Sequence, residues 1–502
     1  MMLLDVDQPR IPTPLVGFDS GGEAFLSQGR VFRGIYSGNG SLYRAVLRTC
    51  EAADLFRFGI VATRESPDNP CPHLRYDLVL EHERIPFISY PHEWPGSMLK
   101  AAALFHIDLY IMLGAHGLTI KDWHPYNILF KGTEPVFVDF TSIIPIDNLQ
   151  DEGYLTPSYV PPLFRRAWNT TSAHFYEMYR RMFVPYFLLP LYLMDREQHG
   201  RARTRMSETI LNASGSVIAR REVFPNVSFD GWRFRAKLFL KMLALVDRGP
   251  VKRRFLELLR EEVQGLSASP RSSAYSNYYA AKNEELGFEP SWNWTDKQRV
   301  TYEAIKRFQP RTLLDIGCNT GWFSVLAANL GCQVVAVDMD EACVNSLYDR
   351  AKREGLPILP LVMDVTKPTP DVWPLAYDSE PPLSLIGGNY PLLLSADKRL
   401  RCDMVLALAL VHHLALGQGL SFNEIARRLS DFTKKYLLVE FVAREDQLIV
   451  GEPSFFSAFN ANPRQFDWYT LDNFLQELRG YFRQVEITEP CAGSRVILIC
   501  TK

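Results

Sequence analysis

The chain has 502 residues, of which 47% are hydrophobic and 22% are charged, and its formal net charge is −2. This length exceeds what one hydrophobic core usually serves, so two or three domains are expected. The composition excludes a wholly disordered chain, and the near-neutral charge gives no overall electrostatic case for binding nucleic acid or an anionic membrane.

The start of the chain, MMLLDVDQPRIPTP, lacks a basic segment followed by an apolar stretch, so neither a signal peptide nor a transit peptide is expected. The most apolar run, FVPYFLLPLYLM at residues 183–194, is too short to span a bilayer and predicts a buried helix. The cysteines are scattered without a CxxC pair or metal-ligand spacing, so no metal site is predicted. We therefore expect a cytoplasmic protein without a membrane span.

Residues 1–265 have the pattern of an α+β region with two lobes. Residues 1–95 are rich in Gly and Pro and predict short strands, with a hairpin at residues 23–35 and a helix at residues 41–56. Residues 96–265 form a mostly helical lobe, whose first helix is expected to end at Gly117.

The helical lobe contains KDWHPYNILF, in which Asp122 is followed by Asn127, and VFVDF contributes Asp139 shortly afterwards. An Asp, an Asn and a second Asp at such intervals are typical of a phosphotransferase catalytic loop and its metal-binding aspartate. The segment resembles a degenerate kinase-like fold of the aminoglycoside phosphotransferase type.

Other parts of a phosphotransferase site are missing from the sequence. The first lysine of the chain is Lys100, so the strand-rich lobe has no lysine to pair with phosphates, and no GxGxxG loop precedes it. Arg33 and Arg44 are the basic residues that could substitute, although a guanidinium does not simply replace that lysine. An active kinase, a degenerate kinase-like scaffold and an unrelated fold all remain open interpretations.

Residues 266–294 are predicted to form a linker with an aromatic clamp, because residues 265–277 are small, polar and interrupted by Pro. Tyr278 and Tyr279 follow, and they could close over a ligand or simply anchor the linker.

Residues 295–502 alternate apolar strands with helices, which predicts a parallel sheet covered on both faces in a Rossmann-like α/β domain. Thr295 and Ser421 each begin a capping box and should start helices. Residues 481–488 and 494–500 should close the domain as an antiparallel hairpin.

The first strand of this domain runs into LLDIGCNTG, which contains Asp315, Gly317, Asn319 and Gly321. The glycines permit a tight turn and a close approach to a ligand. The spacing matches neither GxGxxG nor a P-loop. A glycine turn led by a carboxylate suits a cofactor that carries an amino group.

The next two strands also end in acidic residues, Asp338 and the pair Met363-Asp364. A carboxylate at the second strand end is placed to hold a ribose diol, and Asp364 could accept a hydrogen bond from an adenine amine. Roles as helix caps or turn residues are the alternatives. Residues 311–443 resemble a class I methyltransferase that binds S-adenosylmethionine, although that family usually has Gly where this chain has Asn319.

The fourth strand ends at His412 and His413, where an open α/β sheet binds its ligands. A histidine could remove the proton of an acceptor hydroxyl, which favours O-methylation. The alternative is that one ring packs against the cofactor and the other binds the backbone. Glu440, at the end of the fifth strand, is a second candidate for a base or for an acceptor-orienting group.

Several runs, including LVMDVTKPTP, VLALALVHHLA, LLVEFV and ERIPFISYPHEW, resemble the NoeA-like group of rhizobial nodulation proteins and their bacterial relatives. The resemblance extends from about residue 25 to the end of the chain. It implies a methyltransferase whose acceptor is a small or saccharide-containing molecule. A bifunctional kinase–methyltransferase, a methyltransferase acting on RNA or protein, and a non-catalytic sensor of S-adenosylmethionine remain alternatives.

Overall fold

The structure is a computed structural model, which describes residues 13–14, 21–72, 74–150, 174–175, 178–211, 249–270, 273, 287–371, 393–451, 456–488 and 493–502. Tyr278 and Tyr279 lie outside the described residues, so their predicted roles stay predictions.

The strand-rich lobe is an antiparallel five-stranded sheet in the order β1-β2-β3-β5-β4. Its strands are β1 Thr13–Pro14, β2 Gly22–Ser27, β3 Arg30–Ile35, β4 Thr63–Glu65 and β5 Leu78–His82. The predicted hairpin is confirmed as β2 and β3, and its turn has Gln28 at φ 50° and Gly29 at φ 75°. Two left-handed residues match the twist of the flanking strands. The predicted helix is α1, Gly40–Ala52.

The helical lobe begins with α2, Gly96–Ala115, and Gly117 follows at φ 70°, where the chain leaves the helix as predicted. Two small hairpins come next: β6 Leu118–Ile120 with β9 Ile143–Pro145, and β7 Ile128–Lys131 with β8 Glu134–Phe137. The remaining helices are a π-helix at Tyr179–Leu188, α3 Leu189–Asp195, α4 His199–Leu211 and α5 Gly249–Gly265. The apolar run at residues 183–194 is thus helical and largely buried, as predicted.

Within the described residues, α2 is the one helix whose length and hydropathy would suit a membrane span. Length and composition alone are weak grounds for a span, because core helices share both properties. Met98, Leu99 and Leu113 of α2 lie fully buried in the hydrophobic core.

The C-terminal domain is a seven-stranded sheet in the order β12-β11-β10-β13-β14-β16-β15. Its strands are β10 Thr312–Ile316, β11 Gln333–Asp338, β12 Ile358–Val362, β13 Cys402–Ala407, β14 Thr433–Val442, β15 Gln484–Ile487 and β16 Arg495–Thr501. Strands β10 to β14 are parallel, and the final pair is antiparallel. The predicted Rossmann-like sheet and its closing hairpin are therefore confirmed.

Helices cover both faces of this sheet. They are α6 Asp296–Phe308, α7 Trp322–Asn329, α8 Glu341–Glu354, α9 Ala396–Arg399, α10 Phe422–Phe432, α11 Gln447–Gly451, α12 Ser457–Ala461 and α13 Leu471–Arg479. Both predicted capping boxes are present: Thr295 starts α6 and Ser421 starts α10. Each box satisfies two backbone donors that a helix start would otherwise leave unpaired.

The two halves share one hydrophobic core. A single cluster of buried side chains includes Trp94 and Leu99 from the first half and Val335 and Leu361 from the parallel sheet. Residues 266–270 of the predicted linker lie against α2, where Lys100 Nζ donates a 2.8 Å hydrogen bond to the Leu266 carbonyl. The sheet that carries the predicted cofactor site is thus packed directly against the N-terminal half.

Candidate cofactor and acceptor site

The turn after β10 is built from three residues with left-handed backbone, Gly317 at φ 74°, Asn319 at φ 51° and Gly321 at φ 84°. A Cβ atom at Gly321 would lie 2.4 Å from Leu347 Cδ1, so a larger residue there would clash with α8. The amides of Gly317 and Cys318 donate to the Val337 carbonyl at 2.8 and 3.1 Å. These bonds tie the turn to the neighbouring strand β11.

Asn319 stands where the methyltransferase family usually has Gly, and asparagine is among the few residues that tolerate left-handed backbone. Its amide donates to Asp338 Oδ2 at 2.8 Å, which joins the ends of β10 and β11. Its own side-chain Oδ1 accepts from the Thr320 amide at 2.6 Å. The substitution therefore keeps the turn and adds a local bond.

Asp315 lies at the end of β10 and is 3% exposed. Ser324 Oγ donates to its Oδ2 at 2.6 Å. Burial raises the pKa of Asp315 to about 7, and the nearby Asp338 adds to the rise. Among the described residues, no Lys, Arg or His forms an ion pair with this carboxylate.

Asp338 accepts from two backbone amides, that of Asn319 and that of Asp340, the latter at 2.9 Å to Oδ1. Burial raises the pKa of Asp338 as well, and the described part of the chain offers it no cationic partner. Each carboxylate oxygen has a second lone pair, so both can still accept hydroxyl or ammonium donors. A buried and a half-buried acid, neither with a counter-ion among the described residues, fit a cationic ligand, and S-adenosylmethionine carries a sulfonium and an ammonium group.

The end of β12 places Met363, which is 7% exposed, next to Asp364. Asp364 Oδ1 accepts from the Thr366 amide at 2.9 Å and from Thr366 Oγ1 at 2.7 Å. These bonds give Asp364 the turn role that was its alternative assignment. Met339, 64% exposed beside Asp338, was not predicted; an exposed apolar side chain at a strand end could face a planar ring.

His412 and His413 follow β13 with ring centroids 4.3 Å apart, and Phe456 lies 5.3 Å from the His413 ring. Burial lowers the pKa of both imidazoles, that of His412 strongly, and the neighbouring His413 lowers it further. His412 Nδ1 is buried and has no hydrogen-bond partner among the described residues. Both rings are therefore neutral near pH 7.

Glu440 is 1% exposed, and its carboxylate is held inside the domain. Lys297 Nζ donates to Oε2 at 3.0 Å, and the Ala409 amide donates to the same oxygen at 2.7 Å. Ala409 has φ 50°, a left-handed conformation that costs a non-glycine residue about 1 kcal/mol. Glu440 thus fixes the strained backbone that leads from β13 to His412, a contact that favours a positioning role over that of a base.

The N-terminal half has a second group of predicted residues, arranged around Asp139. Arg33 NH2 lies 3.2 Å from Asp139 Oδ1, and the side chains are 10% and 23% exposed. Thr141 Oγ1 donates to the same carboxylate oxygen at 3.1 Å. The arginine that was considered as a phosphate clamp is therefore paired with the aspartate that was considered as a metal ligand.

Asp122 and Asn127 lie beside this pair in a compact loop. The His124 amide donates to Asp122 Oδ1 at 3.0 Å, and Asn127 Nδ2 donates to the Asp122 carbonyl at 3.4 Å. Arg44, the other candidate clamp, forms an ion pair with Glu65 at 2.9 Å. In this loop Asp139 is paired with an arginine, while the Asp122 carboxylate accepts a backbone hydrogen bond.

Comparison with known proteins matches this chain to a family model and to a relative. The family model for the tellurite resistance protein TehB matches residues 279–371. The nodulation protein NoeA of Rhizobium meliloti strain 1021 is 27% identical over 401 residues, which is 76% of this chain and 75% of that protein.

Two solved structures show limited similarity. The bifunctional kinase-methyltransferase WbdD is 14% identical over 45% of this chain and 42% of that one, with a TM-score of 0.28. TehB from Haemophilus influenzae is 14% identical over 45% of this chain and 67% of that one, with a TM-score of 0.27. The alignment thus spans less than half of the WbdD chain.

The family match, the sheet order and the glycine turn lead to one conclusion. The C-terminal domain is a class I methyltransferase whose cofactor is S-adenosylmethionine. It follows an α+β region, and 76% of the chain is similar to NoeA.

Proposed function

We propose that this protein transfers a methyl group to a hydroxyl of a small or saccharide-containing acceptor, in the modification of a nodulation factor or a surface glycan. The observation that carries the proposal is His412, a buried neutral imidazole whose Nδ1 has no partner in the described chain. The name of the relative, a nodulation protein, is consistent with a saccharide acceptor.

The cofactor roles follow the ends of three adjacent strands. Asp315 is placed for the ammonium group, Asp338 for the ribose hydroxyls, and Met363 with Asp364 for the adenine ring. Gly317 and Gly321 let the backbone approach the cofactor closely, with Asn319 between them. When bound, S-adenosylmethionine supplies an electrophilic methyl group on its sulfonium.

The acceptor side is formed by the two histidines and Phe456. A neutral imidazole nitrogen accepts a hydrogen bond from the acceptor hydroxyl, orients its oxygen and takes its proton as the methyl ether forms. Burial keeps the imidazoles unprotonated, so they remain competent acceptors well below neutral pH. Glu440 acts through the backbone at Ala409, which sets where His412 begins.

The N-terminal half is assigned to acceptor recognition, because its kinase-like site is internally neutralised. We place the activity in the cytoplasm, since the described cysteines are all free thiols and a reducing compartment keeps them so.

Mass spectrometry of a cell extract incubated with the protein and methyl-labelled S-adenosylmethionine would identify the product. We expect a base-stable methyl ether on a small or saccharide-containing molecule. Label in RNA or protein, or a methyl group on nitrogen, would contradict the proposal.

Variants of the two histidines then locate the base. Replacing a general base costs about a hundredfold or more in kcat, so His412→Ala or His413→Ala should show this loss while the Kd for S-adenosylmethionine changes little. His116→Ala, at an exposed position after α2, is the matched control. Full activity of both site variants would assign the proton to water instead.

A further inference from the structure

Two loops that follow the cofactor strands make contact with the N-terminal half of the chain. The first runs from Asp338 at the end of β11 into Glu341 at the start of α8. The second runs from Asp364 after β12 to Thr369. Both loops lie on the side of the sheet assigned to ribose and adenine.

Arg203 of α4 holds the first loop. Its Nε donates to Glu341 Oε2 at 2.9 Å, while NH1 and NH2 donate to the carbonyls of His92 and Trp94 at 2.8 and 3.0 Å. One planar guanidinium therefore bridges α8 and residues 92–94. A lysine has no comparable set of fixed donors.

Short bonds connect this bridge to Asp338. The Asp340 amide donates to Asp338 Oδ1 at 2.9 Å, and Asp340 Oδ1 accepts from the Ala342 amide at 3.0 Å. Asp340 is thus the cap of α8 and a partner of the ribose-site carboxylate at once. A shift of Glu341 moves the Asp338 carboxylate with it.

Thr369 joins the second loop to the same N-terminal segment. Its hydroxyl donates to Glu93 Oε1 at 2.7 Å and lies 3.1 Å from His92 Nε2. Only a short turn, closed by the bonds of Thr366 to Asp364, separates Thr369 from the end of β12.

Glu93 is itself immobilised by a buried ion pair. Arg399 NH2 lies 2.5 Å from Oε1 and NH1 lies 3.1 Å from Oε2, and the two side chains are 0% and 2% exposed. Burial alone would raise the pKa of Glu93, but the charge of Arg399 brings that pKa below its usual value. The carboxylate is therefore a fixed anchor for Thr369.

We propose that residues 92–94 and Arg203 are positioning residues for the cofactor, so that the methyltransferase domain has its full affinity for S-adenosylmethionine only when the N-terminal half is docked. Binding sites lose affinity steeply when a supporting group shifts by about 1 Å, and here the supports of both strand-end loops come from the other half. The inference rests on the cofactor site and is independent of the acceptor.

Calorimetric titration of the full-length protein with S-adenosylmethionine tests this. Arg203→Met keeps the apolar stem but removes the bridge, and it should weaken binding about tenfold. Arg203→Lys keeps the charge near Glu341 and should restore part of the affinity. Thr369→Val, an isosteric change that removes the hydroxyl, should weaken binding about threefold.

Binding of a cofactor fragment shows which end of the cofactor site a substitution disturbs. Methylthioadenosine carries the adenosine end without the amino acid, so Arg203→Met should weaken its binding as much as it weakens binding of the whole cofactor. Asp315→Asn should weaken binding of S-adenosylmethionine but leave methylthioadenosine binding unchanged.

Tyr348→Phe is the matched control, because it removes a contact between the same two halves, the 3.3 Å bond to the Thr133 carbonyl, further along α8. Arg203→Met that binds the cofactor as tightly as this control would overturn the inference. If circular dichroism shows that Arg203→Met does not fold, Thr369→Val is the deciding variant. Wild-type affinity of Thr369→Val for S-adenosylmethionine would then overturn the inference. A wild-type protein that binds S-adenosylmethionine but methylates no hydroxyl would refute the proposed function and leave the inference standing.

Discussion

Two parts of this molecule present an aspartate at a predicted ligand site, and they treat its charge in opposite ways. In the N-terminal half, Asp139 is paired with Arg33, and Thr141 donates a further hydrogen bond. In the methyltransferase domain, Asp315 is buried and Asp338 is half-buried, and neither has a cationic partner among the described residues. The first carboxylate is already neutralised, whereas the other two need a positive charge from outside.

This difference in charge pairing explains why the aspartate motifs of the two halves are not equally good indicators of a ligand site. A carboxylate that is shielded from water without a cationic partner is costly, and such groups concentrate at sites that bind ligands. A carboxylate that is paired internally loses the electrostatic pull that a metal–nucleotide complex requires. Local charge balance, and not the motif alone, therefore distinguishes the two groups of aspartates.

The largest effect should come from removing Asp338. Asp338→Ala deletes an acceptor of charge-assisted hydrogen bonds, which are worth about 1.5–3 kcal/mol each, so the Kd for S-adenosylmethionine should rise about tenfold to a hundredfold. Isothermal calorimetry measures this directly. Asp472→Ala, at an exposed position on α13, is the control and should bind normally. Undiminished binding by Asp338→Ala would show that this carboxylate does not bind the cofactor.

Asp315 should make the affinity for S-adenosylmethionine depend on pH, with an effect smaller than that of removing Asp338. Its pKa of about 7 means that the free protein loses the carboxylate charge on acidification, so cofactor affinity should fall roughly tenfold from pH 7.5 to pH 6. The ligand's amino group stays largely protonated over this range, and Asp315→Asn should bind weakly with a flatter profile.

The raised pKa of Asp315 also affects the stability of the fold. Cofactor affinity should rise with pH, whereas the stability of the free protein should fall. The folded state holds the Asp315 proton more tightly than the unfolded state, so stability without cofactor decreases as pH rises from about 4 to 7. Asp315→Asn should therefore raise the Tm of the free protein at pH 8, by an effect of at most about 4 kcal/mol, and change it little at pH 4. A lower Tm at pH 8 would show that the carboxylate is not strained.

The smallest effect should come from the kinase-like site. Asp139 is bonded to Arg33 and Thr141 of the N-terminal half, so Asp139→Asn should leave the Kd for S-adenosylmethionine within about twofold of the wild type. ATP turnover, measured as phosphate release by the full-length protein, should be absent before and after the change. Turnover in the wild type that Asp139→Asn abolishes would instead establish a bifunctional enzyme.

Local patterns in the sequence were enough to predict much of the methyltransferase domain. The capping boxes at Thr295 and Ser421, and the apolar strands leading to Asp315 and Asp338, depend on neighbours within a few residues. Because parallel strands bring their carboxyl ends to one edge of a sheet, the strand pattern also predicted which edge would carry the ligand site.

Contacts between distant residues could not be predicted in this way. Glu440 was proposed as a base, but Lys297, 143 residues earlier, donates to its carboxylate. Likewise, Arg33 was a candidate phosphate clamp, but the fold pairs it with Asp139, which comes much later in the chain. Such pairings depend on tertiary packing, for which sequence spacing holds no signal.

The buried pair of Glu93 and Arg399 also constrains how the chain can fold during synthesis. Glu93 is translated 306 positions before its partner. At about 5–20 residues per second, the ribosome takes roughly 15–60 seconds to supply Arg399. Until then Glu93 lacks this counter-ion, so we expect the core around Glu93 to close only after Arg399 has been made. The two halves should mature together, late, in one cooperative step.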